Sequence, residues 1–238
     1  MPSTSKKPIW TTSSLLKELE SLGTEQNRKV YGRHGVTGPQ FGVSFAHLGK
    51  LRRQIKVDQE LAEGLWASGN HDARVLAAMI ADPGEMKAST LDTWVKDVGN
   101  HVIANTVAEL AARHASAKQR AEKWTRSRSE TIASAGWNLV SDLAKQKDDD
   151  AVLSDDDLRS YVEQIEKGIH TAPNRTRYSM NSALISIGSH RPKLKKEALA
   201  IAKRIGPVEI DHGETGCKTP DAAERIQAGL TAYGRKAR

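Results

Sequence analysis

Residues 94–114 read WVKDVGNHVIANTVAELAARH. An apolar-periodic segment stops at Gly99-Asn100, and a second begins at His101 with Ala, Val and Leu at helical spacings. Helix, break, helix is the unit that recurs along the chain. Its second helix begins near residues 71, 101, 129 and 174, with the first three starts about 30 apart. Helical pairs of this length cannot bury an apolar face alone, so they stack side by side into a curved solenoid. His101 and Asn105 sit one turn apart on the inner helix of such a pair, in an otherwise apolar run.

Outward from that pair, Ala and Leu spacing predicts twelve helices, at about 12–22, 44–55, 57–68, 71–81, 88–98, 101–114, 116–125, 129–145, 154–167, 174–188, 191–205 and 219–233. Gly69-Asn70, Asp82-Pro83-Gly84, Gly99-Asn100 and Ala172-Pro173-Asn174 mark breaks. Ser44, Ser89, Ser129 and Ser154 stand where an N-cap hydroxyl is useful, with Asp92 and Asp157 three residues after two of them. Strand signals are scarce: two Phe, four Tyr and no Asn-Gly or Asp-Gly hairpin turn. The expected fold is all-α, an α–α superhelix.

A chain of 238 residues buries a core without staples, and the single cysteine, Cys217, excludes an intrachain disulfide and a four-cysteine zinc site. No stretch approaches the ~20 apolar residues of a bilayer span, and MPSTSKKPIWTTSS lacks a signal-peptide core. The expectation is a soluble, cytoplasmic, monomeric protein without cofactor. Net charge +7 favours a polyanionic partner. Basic residues cluster regionally. One group holds Arg113, Lys118, Arg120, Lys123, Arg126 and Arg128; the other holds Arg175, Arg177, Arg191, Lys193, Lys195, Lys196, Lys203 and Arg204 against one acid, Glu197. Facing a shared concavity, the two groups would track a phosphate backbone. The acidic run KQKDDDAVLSDDD at 145–157 reads as a solvated loop whose Asp155–Asp157 favour the next helix N-terminus.

FGVSFAHLGKLRRQI (41–55), LAEGLWASGNHDARVLAAMIADP (61–83), TLDTWVKDV (90–98), SAGWNLVSDLA (134–144) and VEIDHGETGCKTPDA (208–222) resemble the AlkD-like DNA alkylation repair proteins. These are HEAT-like-repeat DNA glycosylases, and the similarity runs from about Gly42 to Ala222. The resemblance implies one continuous HEAT-like repeat domain over 42–238, preceded by a segment and first helix at 1–41. It also implies duplex DNA, alkylated or not, in a basic groove. Excision in such a family removes cationic N-alkylated purines without a deep base pocket, in contrast to base-flipping glycosylases. A carboxylate beside the sugar and aromatic walls would stabilise the developing oxocarbenium.

The family's inner-helix motif is Trp followed four residues later by Asp, and the register of TWVKDV puts His101 and Asn105 at those places. An amide keeps the carboxylate's shape without its charge. Losing such a preorganised group costs roughly 10² to 10³ in rate. The second aromatic falls near Ser182 and the family's basic residue near Ala133. Three departures together imply excision that is weakened, altered or gone. Trp137, Tyr178 and Asn181 are the neighbours that offer stacking or hydrogen bonds to a nucleotide, and packing roles are the alternative for each.

The expected groove cations are Arg113, Lys118, Arg126, Arg128, Arg175, Arg177, Lys193, Lys195 and Lys196. Asp211, His212, Glu214 and Cys217 contain metal-ligand types without tetrahedral-site spacing, so the loop reads as structural. Trp66 and Trp94 read as core, His71 and Arg74 as organisers of the repeat, and TAYGRKAR as a basic end touching phosphate. Three functions remain: a DNA-binding member of the family with diverged excision, an active glycosylase on 3-methyladenine or 7-methylguanine, and a helical scaffold for an acidic protein.

Overall fold

The computed structural model describes residues 10–229, and every regular element among them is helical. Two compact units meet in sequence between Lys87 and Ala88, so the boundary expected at 41/42 falls inside the first. The tail TAYGRKAR lies outside the described residues.

The first unit contains α1 (Thr12–Leu22), α2 (Glu25–Arg33), α3 (Phe45–Ile55), α4 (Gln59–Ala67) and α5 (His71–Ile80). Thr11 and Ser14 form a reciprocal capping box that starts α1, which buries Leu15 and Leu19. α2 was not predicted, because EQNRKVYGR buries no residue and carries no apolar stripe. Its start is set instead by Thr24, whose hydroxyl accepts from the Asn27 N–H at 3.1 Å.

α5 opens on Asn70, whose Oδ1 accepts from the Asp72 and Ala73 N–H groups at 3.0 and 3.3 Å. Asp72, fully buried, accepts from the backbone N–H groups of Phe41, Gly42 and Val43 at 2.7, 3.0 and 2.9 Å. A carboxylate at a helix N-terminus, satisfied by three donors, fixes this irregular segment on α5. Gly42 is required there. Its φ is +80°, and a Cβ would lie 2.5 Å from the Thr24 carbonyl oxygen. Arg74 donates to the Trp66 carbonyl at 3.2 Å and lies 5.2 Å over its ring, so both serve packing, as expected.

The second unit runs through α6 (Ala88–Lys96), α7 (His101–Ala111), α8 (Ala117–Thr125), α9 (Glu130–Ala144), α10 (Asp155–Gly168), α11 (Asn174–His190), α12 (Lys195–Ile205) and α13 (Ala222–Ala228). α9 packs against α7, α8 and α11. Its approach to α8 depends on Gly136, where a Cβ would sit 2.4 Å from the Thr125 nitrogen. Arg191, 2% exposed, donates to the Ala144 and Leu143 carbonyls and satisfies the end of α9.

Two of the expected caps differ. Ser89 lies inside α6, and Ser129 precedes α9 without a side-chain capping bond. Asp92 therefore works across helices: it accepts from Trp124 Nε1 at 3.1 Å and pairs with Lys123 at 2.8 Å and Arg120 at 3.2 Å. These partners hold its carboxyl below the usual range against the opposing effect of burial. Ser154 and Asp157 form the expected capping box of α10, and Asp157 also pairs with Lys118 at 2.7 Å. Among the described residues no helix is long and apolar enough to cross a membrane.

Candidate nucleic-acid interface

Within the second unit, α7, α9 and α11 enclose a cleft of about 210 Å³. α7 contributes His101, Asn105 and Glu109, each one turn from the next. α9 contributes Ser134, Asn138, Ser141 and Asp142, with Lys145 capping its end; α11 contributes Arg175, Tyr178, Ser179 and Ser182. Asn100 starts α7 by accepting from the Val102 and Ile103 N–H groups at 3.0 and 3.2 Å, which directs His101 and Asn105 outward from the apolar stripe. Asn105 is exposed, and its Oδ1 accepts from Asn138 Nδ2 at 2.5 Å.

Sequence reasoning missed Glu109, Ser134, Asn138, Ser141, Asp142, Lys145 and Ser179. Their signal is spacing: Glu109 follows Asn105 by four, and Ser134, Asn138, Ser141 and Lys145 repeat at four, three and four. Asp142 and Lys145 pair at 2.8 Å. The cleft thus holds two carboxylates that the family motif does not announce. Ser134 is 2% exposed, and its hydroxyl makes no hydrogen bond among the described residues.

Trp137 departs from its expected place at the groove. It is 3% exposed and meets Tyr161 edge-on, with ring centroids 5.7 Å apart. One residue is 100° of helix, so the face that brings Ser134 and Asn138 to the cleft turns Trp137 into the core. Asn181, beside Ser182, is likewise 1% exposed, and its Nδ2 donates to the Pro220 carbonyl at 2.9 Å. Ala133, expected at the family's basic position, is buried, while its neighbour Ser134 lines the cleft.

The expected cations separate. Arg175 lines the cleft. Arg177 instead ties the turn before α11 to the loop after α12, donating to the Ala172 and Glu209 carbonyls, both at 3.0 Å. Lys118 is engaged with Asp157, and Lys193 with Asp155 at 3.4 Å, both at the start of α10. Arg126 borders a separate hollow of about 80 Å³ beside Glu122 and Tyr161. Arg113, Arg128, Lys195 and Lys196 are exposed and are not among the residues that line the cleft. Ion pairs between helices of the second unit engage Lys118, Arg120, Lys123, Arg159, Lys193 and Arg204, which commits these cations to acids on neighbouring elements.

The loop DHGETGCKTP is anchored to α11. Asn174 and Asp211 exchange hydrogen bonds at 2.7 and 2.8 Å, and the His212 ring meets Tyr178 edge-on at 5.7 Å. His212 Nε2 also lies 3.0 Å from Thr219 Oγ1. This is the structural role expected of the loop.

The model of the family described as DNA alkylation repair enzyme matches residues 15–226, which include every cleft residue. The chain belongs to this family. A solved structure of a new family of proteins related to the HEAT-like repeat DNA glycosylases, with affinity for branched DNA structures, is 32% identical. It superposes with a TM-score of 0.85 over 94% of this chain and 95% of that one. The all-α, HEAT-like class read from the sequence is therefore the fold of this member of the family. Two curated relatives are the uncharacterized protein Lin0241 of Listeria innocua and the uncharacterized protein Lmo0209 of Listeria monocytogenes. Each is 26% identical over 224 residues, covering 91% of this chain and 96% of the relative.

Proposed function

We propose that this family member binds double-stranded DNA, branched DNA above all, through the face that carries the α7–α9–α11 cleft, and excises N-alkylpurines weakly or not at all. The observation that carries this reading is the Asn105 amide in the cleft, its acceptor oxygen engaged by Asn138, at the place where the resemblance to the family implies a carboxylate. An amide dipole already committed to a neighbour offers no full negative charge to an oxocarbenium ion. Support for DNA comes from the family, from the solved relative's affinity for branched DNA, and from Arg175 and Lys145 in the cleft.

A second reading, an active glycosylase, is favoured by Glu109 and Asp142 in the same cleft. One experiment separates the two. Purified protein is incubated with methylated DNA against a spontaneous-depurination control, and its binding to branched and linear duplex is followed as salt rises. We expect no release of 3-methyladenine or 7-methylguanine above the control, together with DNA affinity that falls with salt. Asn105→Asp should raise release if the missing charge alone limits it. Wild-type release that disappears in Glu109→Gln or Asp142→Asn would establish the active-enzyme reading instead. Affinity that ignores salt, or none, would remove DNA as the partner.

A further inference from the structure

The cleft does not end at Ser182. A second hollow of about 450 Å³ shares Ser141, Lys145, Tyr178 and Ser182 with it and extends between α11 and α13, past Ser189 and His190 to Arg225. We propose that these joined chambers take one unpaired nucleotide of a DNA branch, its base in the larger chamber beside Tyr178 and its phosphate at Lys145 and Arg175. The inference rests on the DNA-binding reading above and adds the nucleotide that the site selects.

Three features fit that occupant. Size is the first: about 450 Å³ lies within the ~300–1,000 Å³ of small-molecule sites and exceeds what a bare phosphate needs. The second is a demand for polar atoms. The Ser134 hydroxyl is buried without a partner, and a buried hydroxyl left unpaired costs free energy that a ligand's donor or acceptor recovers. Ser141 and Ser186 add a buried hydroxyl pair at 2.7 Å on the wall between α9 and α11. Ser134 lines the smaller chamber alone, where its hydroxyl can donate to the phosphate; Ser141 and Ser186 line the larger one, where hydroxyls that both donate and accept suit the edges of several bases. The third is charge. Lys145, paired with Asp142 at 2.8 Å, stands at the junction of the chambers, with Arg175 and Glu109 in one and Arg225 in the other, so a phosphate there would take Lys145 over from the Asp142 carboxylate.

Tyr178 supplies the aromatic. It lines both chambers, and the edge-on contact with His212, at an interplanar angle of 87°, together with Ser182 Oγ donating to its carbonyl at 3.0 Å, fixes its place. Extracting a base from a paired duplex costs a few kcal/mol, and an already unpaired base avoids most of it. A branch point with unpaired nucleotides is therefore the DNA that fills these chambers at least expense.

The test uses three-way junctions with 2-aminopurine either at an unpaired nucleotide of the branch or within a paired arm, and an end-labelled, fully paired junction to measure binding separately. The protein should change 2-aminopurine fluorescence only at the unpaired position. It should prefer the unpaired junction by about tenfold, the equivalent of one base–aromatic contact. Ser182→Trp, which fills the neck between the chambers, should abolish the fluorescence change and bring the preference near one; Tyr178→Leu serves if that variant does not fold. Tight binding to the paired junction with no fluorescence change and no preference in the wild type would overturn this inference alone. No binding to any junction would overturn the DNA-binding reading and this inference with it.

Discussion

The starts of α5 and α7 carry the same three residues and use them differently. Gly69-Asn70-His71 and Gly99-Asn100-His101 each place an asparagine whose Oδ1 accepts from the second and third following N–H groups. The local solution is the same, and the next residue separates the two. Asp72 draws the 41–43 segment over the start of α5, which leaves His71 4% exposed against Tyr31, ring centroids 5.4 Å apart. Val102 recruits no such cover, and His101 lines a hollow with Asn105. One helix start is covered by its own unit; the other borders a cleft.

Asp72→Ala tests that division most severely. It leaves three backbone donors under the 41–43 segment without their acceptor, so the midpoint of chemical denaturation should fall by the equivalent of about 2–4 kcal/mol. Asn105→Ala, the contrasting change at an exposed cleft position, should stay within ~0.5 kcal/mol. Equal losses in the two variants would break the comparison, because the cleft amide would then be a structural residue.

The helices at both starts were legible because apolar periodicity and Gly-Asn breaks are local signals. α2 was not, since its nine residues bury nothing and only Thr24 marks its start. The cleft was legible in part. The family register picked out His101, Asn105 and Ser182, and nearness to Ser182 added Tyr178; all four line it. Nearness to Ala133 and Ser182 also offered Trp137 and Asn181, which are buried, because a one-residue step turns a side chain by 100° and a motif fixes helix register only loosely. The cations were the least legible. Lys118 and Lys193 are engaged by acids 38 or 39 residues away, and a run of like charge says nothing about partners on other helices. Lys145, which does reach the cleft, sat unnoticed at the edge of the acidic run.

A milder pair of substitutions examines what the two starts share. Asn70→Ala and Asn100→Ala each remove an acceptor for two N–H groups, and each should cost about 1 kcal/mol by thermal melting. The two losses should agree if the cap is a local device. A much larger loss for Asn70→Ala would mean that the cap and the Asp72 network act as one, and that the 41–43 segment depends on both.

The smallest effect concerns pH. Burial lowers the His71 pKa from its ordinary value near 6.5, against the opposing pull of Asp72. A histidine with a depressed folded-state pKa keeps its full contribution above the unfolded value, and loses it as pH falls below about 6.5. The carboxylates held below their usual range, Asp92, Asp157 and Glu166, act in a separate window below about 4.5. Between the two windows the slope reports on histidines. His71→Gln should therefore melt at a temperature that depends less on pH between 6.5 and 5 than the wild type does, whatever its absolute stability. An unchanged slope would show that the cover laid down by Asp72 does not keep His71 neutral, and the contrast between the two helix starts would then reduce to geometry alone.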